Sequence, residues 1–207
     1  MKGIYLVTGD CPKQDLETVV EQAIRAGVCC VQLREKTADT RTFLNQALRL
    51  KALLTETKIP LVINDRLDIA LASGADGVHI GQSDMPYAKA RELLGNTALI
   101  GLSVETWEDV KAAQDLDPAY IGVSPVFATP TKTDTKTPWG LDGLARIKKF
   151  SKHRLVAIGG LNTANTKEVV RAGADAIAVV SAICAANDPF GATRVLNIEY
   201  QKAKENR

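Results

Sequence analysis

Three stretches share one design: Arg25-Ala26-Gly27-Val28-Cys29-Cys30-Val31, Ala72-Ser73-Gly74-Ala75-Asp76-Gly77-Val78 and Arg171-Ala172-Gly173-Ala174-Asp175-Ala176-Ile177. In each, a helical pattern stops, a glycine follows, and an apolar run begins at once. Glycine at that point supplies the left-handed C-cap that ends a helix. Outward from these three, near-continuous apolar runs recur along the chain at Ile4–Val7, Cys29–Leu33, Leu61–Asn64, Gly77–Ile80, Leu99–Leu102, Tyr120–Val123, Leu155–Ile158 and Ala176–Val180. Strands covered on both faces read this way. Amphipathic segments lie between them. Leu16, Val19, Val20, Ala23 and Ile24 share a helical face, as do Phe43, Leu44, Ala47, Leu48 and Leu50. Pro86–Leu94, Thr106–Leu116, Leu141–Phe150 and Thr166–Ala172 behave alike. Eight strands, each followed by a helix pattern, give an α/β chain folded as a single (β/α)8 TIM barrel over residues 1–207. An open doubly wound sheet would want Gly-x-Gly-x-x-Gly after the first strand, and Thr8-Gly9-Asp10-Cys11-Pro12 is not that turn.

Composition narrows the class of function. The chain is 45% apolar and 24% charged, with a net charge of only +2 and no Lys/Arg run of five. That balance implies neither nucleic acid nor an acidic membrane surface as a partner. The apolar run at the N-terminus stops at Thr8, too short for a signal peptide or a membrane span, so a cytoplasmic protein is expected. Cys11, Cys29, Cys30 and Cys184 show no metal or redox spacing and read as reduced, structural thiols.

Barrel chemistry sits at the C-terminal ends of the strands, so polar residues there carry the functional reading. Strand two runs into Gln32-Leu33-Arg34-Glu35-Lys36, and alternation puts Gln32, Arg34 and Lys36 on one side. An amide and two cations suit an anion; the plain alternative is a solvated strand end. Asp65 follows strand three and Asp84 follows strand four. Two carboxylates from neighbouring strands suit Mg²⁺, which takes one or two protein carboxylates and fills its shell with water and phosphate. Each Asp could instead cap the next helix. Ser103 ends strand five and either meets a phosphate or caps the helix near Thr106. His79 reads as a hydrogen-bonded core residue, and His153 as a surface residue in a basic loop. Ser124–Gly140 has almost no helical period; with Thr129, Thr131 and Lys132 it is expected to form an anion-binding lid. Gly159-Gly160 after strand seven and Val180-Ser181 after strand eight match the common barrel phosphate site. Together they imply a phosphorylated substrate but no reaction.

These segments, taken in order, resemble the thiamine-phosphate synthase family. The match runs through VQLREK at Val31–Lys36, INDR at Ile63–Arg66, GADGVHIGQSD at Gly74–Asp84, GLS at Gly101–Ser103, YIGVSPVFATPTKTD at Tyr120–Asp134, AIGGL at Ala157–Leu161 and GADAIAVVSAI at Gly173–Ile183. The resemblance implies an enzyme that condenses 4-amino-5-hydroxymethyl-2-methylpyrimidine diphosphate with hydroxyethylthiazole phosphate, or its carboxylated form. Its products are thiamine phosphate and diphosphate, with CO2 as well when the thiazole is carboxylated. It implies that Gln32, Arg34, Lys36, Asn64, Ser103 and Lys132 hold the pyrimidine diphosphate, with Arg34, Lys36, Ser103 and Lys132 acting in catalysis. Asp65 and Asp84 would hold Mg²⁺. Thr129, Thr131, Gly160, Val180 and Ser181 would hold the thiazole phosphate. The partners expected are these small molecules, with a homo-oligomer left open. Two departures stand out: Thr8-Gly9-Asp10 matches no catalytic motif, and Ser124 stands where a glycine is expected.

Two rivals share the barrel. A thiazole tautomerase of the related branch would carry His after the Ser-Val of strand five and lack Thr-x-Thr-Lys. This chain has Glu105 there and keeps Thr129-Pro130-Thr131-Lys132. A non-catalytic phosphate-binding barrel would keep the glycine loops but has no use for both Asp65 and Asp84.

Overall fold

The computed structural model describes residues 1–129 and 136–205. Eight parallel strands close into a barrel in sequence order, with the first hydrogen-bonded to the last. They are β1 (Gly3–Val7), β2 (Cys30–Leu33), β3 (Leu61–Asn64), β4 (Gly77–Ile80), β5 (Leu99–Val104), β6 (Tyr120–Val123), β7 (Leu155–Ile158) and β8 (Ala176–Val179). Around them lie α1 (Leu16–Arg25), α2 (Thr40–Leu54), α3 (Leu67–Ser73), α4 (Tyr87–Leu94), α5 (Trp107–Ala113), α6 (Gly140–Phe150), α7 (Thr166–Ala172), α8 (Ser181–Cys184) and α9 (Pro189–Glu205). The expected strands are all present, within two residues at every end. The sequence pattern sets no bounds for α3, α8 or α9, whose apolar positions are too few or too scattered to mark a period.

Local chemistry explains where helices begin. Asp15 and Asp39 accept from the backbone N–H of Thr18 and Thr42, capping α1 and α2. Thr106 and Asp109 form a reciprocal capping box on α5.

The two Gly-Ala-Asp stretches act alike at the strand entrances. Gly74 ends α3 in the left-handed region, at φ 65°. Asp76 then accepts from Lys51 Nζ and from the Leu61 backbone N–H, both at 2.8 Å. Four strands further round, Asp175 accepts from Lys148 Nζ at 2.8 Å and the Leu155 N–H at 2.9 Å. Each carboxylate thus ties the start of one strand to the start of the strand before it and to a helix outside. Asp175 is part-buried, and burial alone would raise its pKa. The Lys148 ammonium and the Leu155 N–H outweigh that and hold it below the ordinary value.

Strand alternation makes two cores. One fills the space between sheet and helices. The other lies inside the barrel and contains Tyr5, Val7, Cys30, Val62, Tyr120 and Val156. His153 corrects an expectation. It is buried, and its Nε2 donates to the Ala113 carbonyl at 2.8 Å. A basic neighbourhood in sequence had suggested the surface, but the imidazole bridges two helix-end segments.

Candidate active site

The inner faces of the strands open at their C-terminal ends onto one cavity of about 880 Å³. From β2 come Gln32, Arg34 and Lys36, all on its wall as alternation requires. Arg34 is fixed from an unexpected side. The Thr8 hydroxyl, 1% exposed, accepts from the Arg34 N–H at 2.9 Å, while the Thr8 N–H donates to the Gln32 carbonyl at 2.9 Å. The unmatched segment after β1 therefore braces the cationic strand end. Gly9 beside it must be small, since a Cβ there would lie 2.5 Å from Val180 Cγ1.

Asn64, Asp65 and Asp84 enter the same cavity from the ends of β3 and β4. Neither carboxylate is a helix cap. Arg66 and Pro86 occupy the N-cap positions of α3 and α4, and no side chain bonds there. Asp65 instead takes a left-handed backbone at φ 63°, rare for a residue with a Cβ. Its Oδ2 meets Lys36 Nζ at 2.5 Å. Asp84 Oδ2 accepts from the Gly81 N–H at 2.7 Å. Burial raises the pKa of Asp84, and the Asp65 carboxyl beside it raises it further. Two facing carboxylates with a cation already drawn to one of them suit a hard divalent ion. Among the described residues no third His, Cys, Asp or Glu joins them in a metal-binding cluster. The rest of such an ion's shell would then come from water and a phosphorylated ligand.

Ser103 also departs from the capping alternative. Thr106 caps α5, and Ser103 Oγ lies 2.8 Å from His79 Nε2 with its side chain in the cavity. Thr129, Gly160, Val180 and Ser181 line the same cavity from the segments that follow β6, β7 and β8. Thr131 and Lys132 lie outside the described residues. The stem of that long connection is held to β7. Val126 N–H donates to the Ile158 carbonyl at 2.9 Å and Phe127 N–H to the Gly159 carbonyl at 3.1 Å. The two glycines serve this stem as well as any ligand. A Cβ on Gly159 would sit 2.7 Å from Pro125 Cβ, and one on Gly160 2.7 Å from the Ala128 carbonyl oxygen. Both have positive φ, 104° and 66°.

His79 is hydrogen-bonded, as expected, but it also lines the cavity floor, and sequence reasoning missed the two tyrosines beside it. Tyr5, Tyr120 and His79 line that floor and are joined by hydrogen bonds to Gln32 and Ser103. One signal was available: Tyr5 and Tyr120 share the inward phase of their strands, and a buried tyrosine needs a partner for its hydroxyl.

The arrangement defines a class: a parallel-barrel enzyme with a cationic wall, an acidic pair and a glycine-rich wall facing one cavity. Comparison with known proteins narrows it. A family described as thiamine monophosphate synthase matches residues 4–183. Thiamine-phosphate synthase of Albidiferax ferrireducens is 57% identical over 90% of this chain and 86% of its own length. That of Leptospira biflexa is 50% identical over 97% of this chain and 98% of its own. A solved thiamine phosphate pyrophosphorylase from Pyrococcus furiosus superposes with a TM-score of 0.88 at 34% identity, covering 97% of this chain and 96% of that one. The chain belongs to the thiamine monophosphate synthase family, enzymes that make thiamine phosphate. No helix among the described residues is long and apolar enough to cross a membrane.

Proposed function

We propose that this cavity joins 4-amino-5-hydroxymethyl-2-methylpyrimidine diphosphate to hydroxyethylthiazole phosphate, or its carboxylated form, with Mg²⁺ held by Asp65 and Asp84. One observation supports this above the rest: the cations at the β2 end, the acidic pair at the β3 and β4 ends and the small residues at the β7 and β8 ends all line a single cavity. Gln32, Arg34, Lys36, Asn64 and Ser103 hold the pyrimidine diphosphate, joined by Lys132. Thr129, Gly160, Val180 and Ser181 hold the thiazole phosphate, joined by Thr131.

The chemistry asks for no protein nucleophile. The carbon–oxygen bond to the diphosphate breaks and its electron pair leaves with the diphosphate. The pyrimidine methylene cation that remains is captured by the lone pair of the thiazole nitrogen, and the carboxylated form also loses CO2. Mg²⁺, when bound, supplies positive charge to the departing diphosphate. Arg34 and Lys36 supply the rest from the chain, and they stabilise the transition state more than the ground state because charge grows on the diphosphate as the bond breaks. The two walls keep the rings close and oriented, which removes entropy from the barrier before reaction.

Metal dependence tests the assignment. Asp84→Ala is expected to need more Mg²⁺ for half-maximal rate and to turn over far more slowly. Full activity of Asp84→Ala in EDTA would overturn the metal site.

A further inference from the structure

A line of hydrogen bonds crosses the cavity floor. Gln32 Nε2 donates to the Tyr5 hydroxyl at 2.8 Å, and the Tyr5 and Tyr120 hydroxyls lie 2.8 Å apart. Tyr120 Oη is 3.0 Å from His79 Nδ1, and His79 Nε2 is 2.8 Å from Ser103 Oγ. The five side chains come from five different strands: β2, β1, β6, β4 and β5. The His79 ring stacks on Tyr120 with centroids 5.5 Å apart. Neighbouring glycines make the room. A Cβ on Gly101 would lie 2.2 Å from Tyr120 Cζ, and one on Gly122 2.9 Å from His79 Cε1. Both tyrosines are 1% exposed, and burial pushes their pKa values well above the ordinary, so each keeps its proton.

A hydroxyl has one proton to give and a neutral imidazole has one N–H. A row of such groups is ordered head to tail, so setting one bond sets the others. The Gln32 NH2 group only donates, so the Tyr5 oxygen accepts. The Tyr5 proton, sealed in the core, goes to Tyr120, because a buried donor left unpaired loses its hydration with nothing to replace it. The Tyr120 proton then goes to His79 Nδ1, which must be bare. His79 carries its proton on Nε2 and gives it to Ser103. Ser103 is left with a proton for the cavity, and Gln32 with its amide oxygen. Turning the Gln32 amide over would reverse every bond. In either sense the two ends have opposite polarity.

We propose that Tyr5, Tyr120 and His79 are positioning residues that set Gln32 as acceptor and Ser103 as donor towards the ligand, so that the site selects a ring edge carrying one donor and one acceptor. The choice of ligand rests on the pyrimidine reading above; the wire itself does not. An aminopyrimidine offers an amino N–H beside a bare ring nitrogen. Its oxo analogue offers a carbonyl beside a protonated ring nitrogen, the reverse pattern, and seating it requires the whole wire to turn over.

Two measurements test this on the full-length protein. Nitrogen-15 NMR of the imidazoles in ligand-free protein at neutral pH separates the two neutral tautomers, with the His153 signal assigned from His153→Gln. His79 is expected as the Nε2–H tautomer. Finding it as Nδ1–H, or charged, overturns the proposal. The second measurement compares binding of the amino and oxo pyrimidine diphosphates. The wild type is expected to favour the amino form at least about tenfold, the scale of one well-placed hydrogen bond. Tyr120→Phe frees the two ends from each other and is expected to shrink that ratio towards one. His79→Leu cuts the same line beyond Tyr120 and replaces it if Tyr120→Phe does not fold; Tyr5→Phe would not, because Gln32 also reaches the Tyr120 hydroxyl. An unchanged ratio in the cut variant overturns the proposal, since a merely structural tyrosine would lower the melting temperature and leave the preference alone. A protein that shows the Nε2–H tautomer but binds neither diphosphate supports the wire and contradicts the synthase reading.

Discussion

Arg34 shows how far a single residue is legible. Period-two alternation put it beside Gln32 and Lys36, and all three do reach one cavity. What fixes its backbone, the Thr8 hydroxyl, was not legible, because the contact joins residues 26 apart. Arg34→Ala is expected to lower kcat, with a cost of about 2–4 kcal/mol, the range for loss of one electrostatic stabiliser. Steady-state kinetics checks it: a change confined to the KM for the thiazole phosphate would reverse the assignment of the two walls. Gly160 is a different case. Its doublet matches the barrel phosphate site, and the contacts add a second demand for glycine: the Phe127–Ala128 stem is pressed against it. Gly160→Val therefore acts on two levels. It forces a Cβ into a positive-φ position at about 1–2 kcal/mol and pushes on the stem. Weaker thiazole phosphate binding and a lower melting temperature are expected together; a fall in affinity with unchanged stability would mean the stem yields freely.

At the level of elements, strand positions were plain because both faces of every strand are covered and each apolar run ends in glycine or polar residues. Boundaries moved where a polar residue continues the ladder, as Ser103 does in β5. The repeated Gly-Ala-Asp was seen as a turn; its carboxylate as a tie between strands was not, because the partners Lys51 and Lys148 sit 25 and 27 residues away. Asp175 gives a pH-dependent consequence. A carboxyl held below its ordinary pKa contributes stability that is present above the ordinary value and lost as pH falls through the lowered one. Asp175→Asn is expected to cost about 1 kcal/mol at neutral pH, some 2–4 °C in melting temperature for a domain this size. The gap to wild type closes in acid below the ordinary aspartate range. Denaturant unfolding across that range checks it, and a gap that widened in acid would contradict the tie.

For the whole molecule, the barrel brings together residues that the chain keeps apart. β8 pairs with β1 and β1 with β2, so Val180 and Ser181 stand two strands from Arg34 although Val180 follows Arg34 by 146 residues in the sequence. Closure makes one cavity of two walls, and two substrates meeting there is the central claim. The tautomerase alternative would act on a thiazole alone, and a binding barrel would transform nothing. The direct measurement is product analysis of the wild-type protein with pyrimidine diphosphate, thiazole phosphate and Mg²⁺, each omitted in turn. The account predicts thiamine phosphate and diphosphate in equal amounts, formed only when all three are present. Conversion of the thiazole without the pyrimidine, or no product from the complete mixture, would contradict it.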